Sequence, residues 1–228
     1  MSSRRISSVF MSVLFPNRWE KSPTVLVMRP RIVALGGTLR PSSSGSAALR
    51  LCLKVAQEHD CDVQLLTGPD LDVPMYDPSA GMRSPRAIEL LAALRSADGI
   101  LIASPGYHGS VSGLVKNALD YTEDLRTETR CYLADVPVGC IVSAAGWQAA
   151  GATLAALRAI VHALRGWPTP LGVMFNSSTT VFGPNGDCRD EELQAQLRTM
   201  TVQVITMAKL QSLRTSAQEP VGLGKYHH

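Results

Sequence analysis

Residues 36–46 bring glycines, hydroxyl groups and one arginine into a turn between a short apolar run and a helical pattern. A turn from strand to helix directs backbone N–H groups outward, and small residues let a ligand approach the main chain. Arg40 adds a fixed positive charge, and the helix start adds a partial one. Hydroxyl donors come from Thr38, Ser42, Ser43, Ser44 and Ser46. The pattern predicts an anion site, and a phosphate monoester fits it best.

Two other interpretations of residues 36–46 stay open. A run of serines and glycines also forms solvated loops that bind nothing, and Ser46 alone can serve as a helix cap. The glycine spacings of complete dinucleotide-binding turns and of P-loops are absent from the stretch.

A second run of small residues and prolines extends from Ser104 to Gly113, directly after the apolar run Gly99–Ala103. Prolines and glycines restrict the backbone of such a loop to unusual conformations. Its main-chain N–H groups can then donate hydrogen bonds to ring nitrogens and carbonyl oxygens of a ligand. We therefore expect the second loop to form one wall of a site that binds a polar ring system.

Both loops belong to an alternation of apolar runs and amphipathic helices that begins at Arg31. The runs are Ile32–Leu35, Asp62–Leu66, Gly99–Ala103, Val138–Val142 and Leu171–Phe175. This alternation predicts an α/β fold with helices on both faces of a parallel sheet. We expect a doubly wound five-stranded sheet with the flavodoxin-like strand order 2-1-3-4-5. Ligands bind such sheets beyond the carboxyl ends of strands one and three, so the two loops should be neighbours.

The sequence resembles the NAD(P)H-dependent FMN reductase family of flavodoxin-like proteins over about residues 31–210. The family's first motif, G-S-L-R-x-x-S-x-N, is matched by residues 37–40 and Ser43. Its second, P-x-Y-x-x-S-x-x-G-x-L-K-N-A-I-D-W, is matched by Pro105, Tyr107, Ser110, Gly113, Lys116, Asn117, Ala118, Asp120 and Tyr121. The resemblance implies non-covalently bound FMN as cofactor and NADPH or NADH as co-substrate.

The same resemblance implies roles for individual residues. Thr38, Arg40 and Ser43 would hold the FMN phosphate, with Ser46 as a further candidate. The ribityl chain and the ring edge would be enclosed by Pro105, Gly106, Tyr107, His108, Gly109 and Ser110. A third segment, with Ser143, Ala144 and Gly146, would line the other side of the ring.

This chain departs from the family pattern at two places. Gly45 stands where the family commonly has Asn, so one phosphate donor must come from Ser44 or Ser46. The third segment has Ala144 and Ala145 where many members carry glycines.

The side chains near these motifs have structural interpretations as well. We predict no acid–base catalytic residue, because the flavin performs the hydride chemistry. We also predict no metal site, because Asp70, Asp72 and Asp77 lack the regular ligand spacing of a calcium loop. His108 is more typical of an exposed loop residue than of a proton donor, and Tyr107 can be a packing residue. Trp147 suits either a flap over the ring or a subunit interface. Lys116 and Asn117 are expected to stabilise the third helix or its contacts rather than to touch the flavin.

The predicted function is NAD(P)H-dependent reduction of FMN, with electrons passed to free flavin, a quinone or another small acceptor. A quinone, azo-dye or chromate reductase on the same scaffold is the alternative. A flavodoxin-type electron carrier is less favoured, because such carriers are strongly acidic and this chain has a formal net charge of +3. A third possible function is that of a phosphate-sensing or structural subunit that binds no cofactor. The resemblance implies a homodimer or homotetramer and a flavin-dependent monooxygenase as partner.

Length and composition favour one domain with extensions at both ends. Of the 228 residues, 45% are hydrophobic, which is enough for a buried core. We expect a loosely ordered extension over 1–30, a domain over 31–212 and a tail over 213–228. The Arg-rich, acid-poor start is compatible with a transit peptide, but a dispensable extension or an upstream start is favoured.

Charge and cysteine usage restrict the partners and the compartment. The small net charge, without a basic stripe, gives no reason to expect nucleic acid. No apolar run approaches the length of about 20 residues that a bilayer requires. Five scattered cysteines without a C-x-x-C spacing predict reduced thiols and a cytoplasmic protein.

Overall fold

A computed structural model describes residues 29–40, 42–179 and 181–217. The strands are β1 Arg31–Gly36, β2 Asp62–Leu66, β3 Gly99–Pro105, β4 Pro137–Ala144, β5 Trp167–Pro168 and β6 Val173–Asn176. The helices are α1 Ser44–Glu58, α2 Pro85–Ser96, α3 Gly113–Asp120, α4 Trp147–Ala163 and α5 Glu191–Ala217. Short 3₁₀ helices span Gly68–Leu71 and Tyr121–Leu125.

The strands form one parallel sheet in the order β2-β1-β3-β4-β5, and β6 also pairs with β4. This confirms the predicted fold class and strand order. The fifth sheet position is divided between two short strands: β5 pairs with the start of β4 at Pro137 and Val138, and β6 pairs with its end. The Thr169 N–H still donates to the Val138 carbonyl of β4, but the Leu171 N–H donates to the Gln203 side chain of α5, which interrupts the ladder.

Alternate residues of the central strands feed two separate hydrophobic layers. In β1, Val33 and Leu35 face the layer with α2, α3 and α4, whereas Ile32 and Ala34 face the layer with α1 and α5. Successive side chains of a strand point to opposite faces. A sheet covered on both faces therefore needs apolar residues at every position, which is the pattern of its central strands.

The structure gives the bounds of two further segments. The third predicted segment is short, because β4 continues to Ala144 and α4 begins at Trp147. Helix α5 continues beyond residue 212, the expected end of the domain, and ends at Ala217. The predicted extension, apart from Arg29 and Pro30, and the tail beyond Ala217 lie outside the described residues.

Burial accounts for the chemistry of the cysteines. Cys52, Cys61 and Cys140 are buried, and all five cysteines are free. Burial raises the pKa of Cys52 and of Cys140 to about 12, so both remain thiols at neutral pH. Within the described residues, no helix combines the length and apolar character needed to span a membrane.

Candidate flavin site at the carboxyl edge of the sheet

The chain leaves β1 through a turn that only glycine can make at its tightest point. A Cβ added at Gly37 would lie 2.7 Å from the carbonyl oxygen of Ala103 and 2.7 Å from Cδ of Pro105. At the next residue, the Thr38 hydroxyl accepts a hydrogen bond from the Arg40 N–H at 2.8 Å. The first loop therefore lies in close contact with the end of β3, and the Thr38 side chain stabilises its backbone conformation.

Helix α1 begins with a serine cap. The Ser43 hydroxyl accepts a hydrogen bond from the Ser46 N–H at 3.1 Å and donates one to the Ser46 hydroxyl at 2.9 Å. The remaining N–H groups of the first turn have no acceptor within the helix. Together with the helix dipole, they make this end of the 15-residue helix favourable for an anion.

The guanidinium of Arg40 is free to meet such an anion. Arg40 is exposed, and its side chain has no hydrogen bond or ion pair with any described residue. None of the cleft residues beside it is acidic. The positive charge of Arg40 is therefore not neutralised by any residue of the cleft lining.

The second loop is tied to the first by Ser112. Its hydroxyl donates to the Gly37 carbonyl at 2.8 Å, and its N–H donates to the Ser104 hydroxyl at 2.9 Å. On the other side, the Gly106 N–H donates to the Ser143 carbonyl at 2.8 Å. These bonds join the carboxyl ends of β1, β3 and β4, so the two predicted loops are neighbours.

The tip of the second loop is a tight hairpin. Tyr107 and Ser110 exchange two backbone hydrogen bonds of 3.0 Å. Between them, His108 and Gly109 have φ values of 52° and 78°. Two successive positive φ angles are typical of a type I′ turn, which gives the tip a defined shape. Its Tyr107 ring, 49% exposed, stands at the cleft.

The third wall comes from the end of β4 and the start of α4. Ser143 and Ala144 are buried, whereas Ala145 and Gly146 are exposed. Gly146 caps α4 without a side-chain hydrogen bond, so the first N–H groups of this helix remain open to solvent or a ligand. Trp147 follows directly and is 60% exposed.

Together these loops enclose a cleft of about 410 Å³, which lies within the range of small-molecule sites. It is lined by Thr38, Arg40, Ser42, Ser43, Ser44, Pro105, Gly106, Tyr107, Ser143, Ala144, Ala145 and Ser177. An unpaired arginine and hydroxyls lie at one end, and exposed backbone and an aromatic ring lie at the other. This donor set fits a flavin mononucleotide, whose phosphate and ring system need these two environments.

The cleft lining contains eight of the predicted site residues: Thr38, Arg40, Ser43, Pro105, Gly106, Tyr107, Ser143 and Ala144. His108, Gly109, Ser110 and Gly146 adjoin it in sequence but are not part of the lining. Ser46 also lies apart, because it is 2% exposed and its hydroxyl is engaged by Ser43.

Ser177 is the cleft residue that the sequence analysis did not single out. It follows β6, and its N–H donates to the Ala144 carbonyl at 2.9 Å. The available signal was its position, since a hydroxyl residue directly after the last strand must lie at the carboxyl edge of the sheet.

The second half of the second motif supplies side chains that bind the loop after β2. The Asn117 amide accepts a hydrogen bond from the Tyr76 N–H at 2.8 Å and donates to the Pro74 carbonyl at 3.0 Å. The Tyr121 hydroxyl donates to the same carbonyl at 2.9 Å. Asn117 thus anchors the loop after β2, in agreement with its expected supporting role.

An ion pair fixes the other end of that loop. Arg83 donates two hydrogen bonds to the Asp124 carboxylate, at 2.7 and 2.8 Å, and lies over the Tyr76 ring. The Arg83 guanidinium holds the pKa of Asp124 below its ordinary value. We call Arg83, Asp124 and Tyr76 the loop clasp.

Comparison with known proteins agrees with this geometry. An FMN-dependent NADPH-azoreductase of Staphylococcus aureus (strain USA300) is 27% identical over 177 residues, which cover 75% of this chain and 90% of the relative. Its counterpart in Staphylococcus saprophyticus is 28% identical over 162 residues, covering 67% and 81% respectively.

Among solved structures, the flavoenzyme FerB of Paracoccus denitrificans superposes with a TM-score of 0.59 at 19% identity, covering 78% of this chain and 98% of FerB. RosB superposes with a TM-score of 0.65 at 15% identity, covering 86% and 91%. At these identities the likeness shows a shared fold.

The family comparison is decisive. Residues 30–180, which include the three loops of the cleft up to Ser177, match the family described as NADPH-dependent FMN reductase. The resemblance seen in the sequence is thereby confirmed, and the chain belongs to the NADPH-dependent FMN reductase family.

Proposed function

We propose that this protein binds FMN in the carboxyl-edge cleft, takes hydride from NADPH or NADH, and passes the electrons to free flavin or another small acceptor. One observation carries the proposal: the unpaired Arg40 and the start of α1 face the same cleft as the exposed backbone of the second loop. A phosphate at one end and a hydrogen-bonding ring at the other satisfy both features.

The residues of the chain would divide the work of binding. Arg40, Thr38 and the serines at the start of α1 would hold the phosphate through charge-assisted hydrogen bonds. Gly106 and Tyr107 would lie along the ring system. Because their own N–H groups are engaged by the Ser143 and Ser110 carbonyls, a donor to the polar edge would come from a neighbouring N–H group such as that of Ala145. Bound FMN supplies the redox chemistry, accepting hydride from the nicotinamide and releasing electrons to the acceptor.

Proton transfer by a side chain is not part of the proposal. The cleft lining of the described residues contains no Asp, Glu, His or Lys. The protein would therefore act by positioning and by fixed dipoles, while protons exchange with solvent at the open side of the cleft.

A second acceptor class has its own support. The Staphylococcus relatives carry the name azoreductase, and the exposed rings of Tyr107 and Trp147 near the cleft offer flat apolar surfaces to an aromatic acceptor. We therefore keep azo-dye, quinone or chromate reduction as the alternative outcome of the same chemistry.

Assembly, partner and location remain proposals as well. A homodimer or homotetramer is supported by the exposure of Trp147, since exposed aromatic side chains are typical of interfaces. A flavin-dependent monooxygenase would be a recipient of reduced flavin, and a cytoplasmic location fits the free thiols.

The proposal is tested by loading the purified protein with FMN and mixing it anaerobically with NADPH or NADH. We expect the visible absorbance of oxidised flavin to bleach within seconds and to return when an acceptor is added. Turnover with free FMN, a quinone and an azo dye then ranks the acceptors by kcat/KM. Flavin that stays oxidised for minutes with both nicotinamides would contradict the proposed reductase and favour an electron carrier.

A further inference from the structure

A second cleft adjoins the flavin cleft on the far side of the proposed phosphate position. It has a volume of about 380 Å³ and shares Ser42, Ser43, Ser44 and Ser177 with the first cleft. Its remaining lining comes from α1, from Thr179 and from the segment 181–186 between β6 and α5. A group attached beyond the phosphate, or a second phosphate placed beside it, would enter this space.

One arginine provides the charge of the second cleft. Ser43, Ala47 and Arg50 follow one another at helical spacing, so they line the cleft from one face of α1. Arg50 is exposed, and its side chain forms no hydrogen bond or ion pair with the described residues. Asp187, whose carboxylate packs against Gly183, is not part of the lining. A second unpaired guanidinium thus lines the cleft that adjoins the one lined by Arg40.

The opposite wall of the second cleft, the segment 181–186, is held in place by contacts within the protein. Phe182 pairs with Cys188 in a backbone bridge, and the Gly183 N–H donates to the Asp187 carbonyl at 2.8 Å. Phe182 also packs edge-on against Phe175, with ring centroids 5.8 Å apart. The partly exposed Phe182 ring and the Asn185 amide offer a base an apolar face and hydrogen-bonding groups.

We propose that the second cleft binds an adenosine phosphate, with the phosphate on Arg50 and the adenine against the segment 181–186. This inference rests on the proposed function, because the flavin phosphate defines the boundary between the two clefts. The adenosine phosphate has two sources with the same chemistry. It is the phosphorylated ribose end of NADPH, or the adenylate half of FAD bound in place of FMN.

The direct test is calorimetric titration of the full-length protein, loaded with FMN, with adenosine 2′,5′-bisphosphate as the probe. We expect saturable binding that Arg50→Gln weakens about tenfold, the size expected for loss of a charge-assisted hydrogen bond. Lys54→Gln is the matched control, since it removes one charge from the next turn of α1 at a residue outside the cleft lining. Absence of binding by the unaltered protein, or equal affinity in Arg50→Gln, would overturn the proposal.

Two further measurements distinguish the sources. If the end of NADPH occupies the cleft, Arg50→Gln raises KM for NADPH and leaves KM for NADH unchanged. If the adenylate of FAD occupies it, the variant loses affinity for FAD and keeps its affinity for FMN. Failure of FMN itself to bind would refute the proposed function, whereas the titration with the bisphosphate, repeated on protein without flavin, reports on the second cleft alone.

Discussion

The two ends of the parallel sheet carry clefts of similar size and opposite character. At the carboxyl end, hydroxyls, backbone and Arg40 line about 410 Å³. At the amino end, a cleft of about 450 Å³ between β5 and α5 is lined mostly by apolar groups, among them Trp167, Pro170 and Met207.

Chain direction explains the difference between the ends. In a parallel sheet each strand leads into a helix at its carboxyl end, so the free N–H groups of helix starts converge there. Helix ends and short returns occupy the amino end. The carboxyl end is therefore prepared for an anion by topology alone, and the local sequence of residues 36–46 adds specificity to it.

Of the substitutions considered, Gly37→Ala should have the largest effect on the cleft at the carboxyl end. The added Cβ meets backbone and a proline ring at 2.7 Å, so the first loop must move away from β3. We expect measurable FMN binding to disappear and the free energy of unfolding to fall by about 1–3 kcal/mol. FMN titration and urea denaturation measure both effects.

Gly113→Ala is the control for this change. It adds a Cβ with nothing within 4 Å at the start of α3, so FMN binding and stability should be preserved. Intact FMN affinity in Gly37→Ala would mean that the close approach of the two loops does not shape the cleft.

Arg40→Ala removes the charge and leaves the shape of the carboxyl end. We expect FMN binding to weaken by about 1.5–3 kcal/mol, the cost of losing a hydrogen bond to a charged group. Flavin fluorescence quenching gives the dissociation constant, with the exposed Arg126→Ala as a control outside the cleft. Equal affinities of Arg40→Ala and the control would place the phosphate elsewhere.

Arg83→Met tests whether the loop clasp contributes to FMN binding. Its ion pair is partly buried, with side chains 16% and 23% exposed, so we expect a loss of about 1–2 kcal/mol of stability. FMN affinity should stay unchanged, because none of the clasp residues lines the cleft. A large loss of FMN affinity would extend the site to the loop after β2.

The clasp also predicts a pH dependence. The pKa of Asp124 is lowered in the folded protein, so its stabilising effect is present above the unfolded value of about 3.9. It is lost as the pH falls through the lower folded value. Denaturation below about pH 4 should therefore bring the stability of the unaltered protein closer to that of Arg83→Met. A constant difference down to pH 2 would contradict the role of Asp124.

Trp167→Ala changes the cleft at the amino end and should have the smallest effect on stability and on FMN affinity. Trp167 is 48% exposed, so we expect at most about 1 kcal/mol of destabilisation. FMN affinity should change less than twofold, which titration can resolve. A larger change in affinity would show that the two ends of the sheet are coupled.

The sequence predicted those features that follow from periodicity and chain order. Continuous apolar runs indicated a sheet covered on both faces, and the runs of small residues after β1 and β3 marked the cleft. It did not predict where the hydroxyl of Ser46 points, because a serine near a helix start serves a cap or a ligand equally well. Ser177 was missed since its loop has no recognisable motif. The divided fifth strand depends on the hydrogen bond from the Leu171 N–H to Gln203 of α5, a contact between distant parts of the chain that no local pattern reveals.

The central claim is that the first loop grips the phosphate of a flavin nucleotide. Its most direct test is the ratio of FMN affinity to riboflavin affinity, measured by fluorescence quenching in the unaltered protein and in Arg40→Ala. We predict that the unaltered protein prefers FMN by at least about tenfold and that most of this preference disappears in Arg40→Ala. An identical ratio in the two proteins would contradict the account.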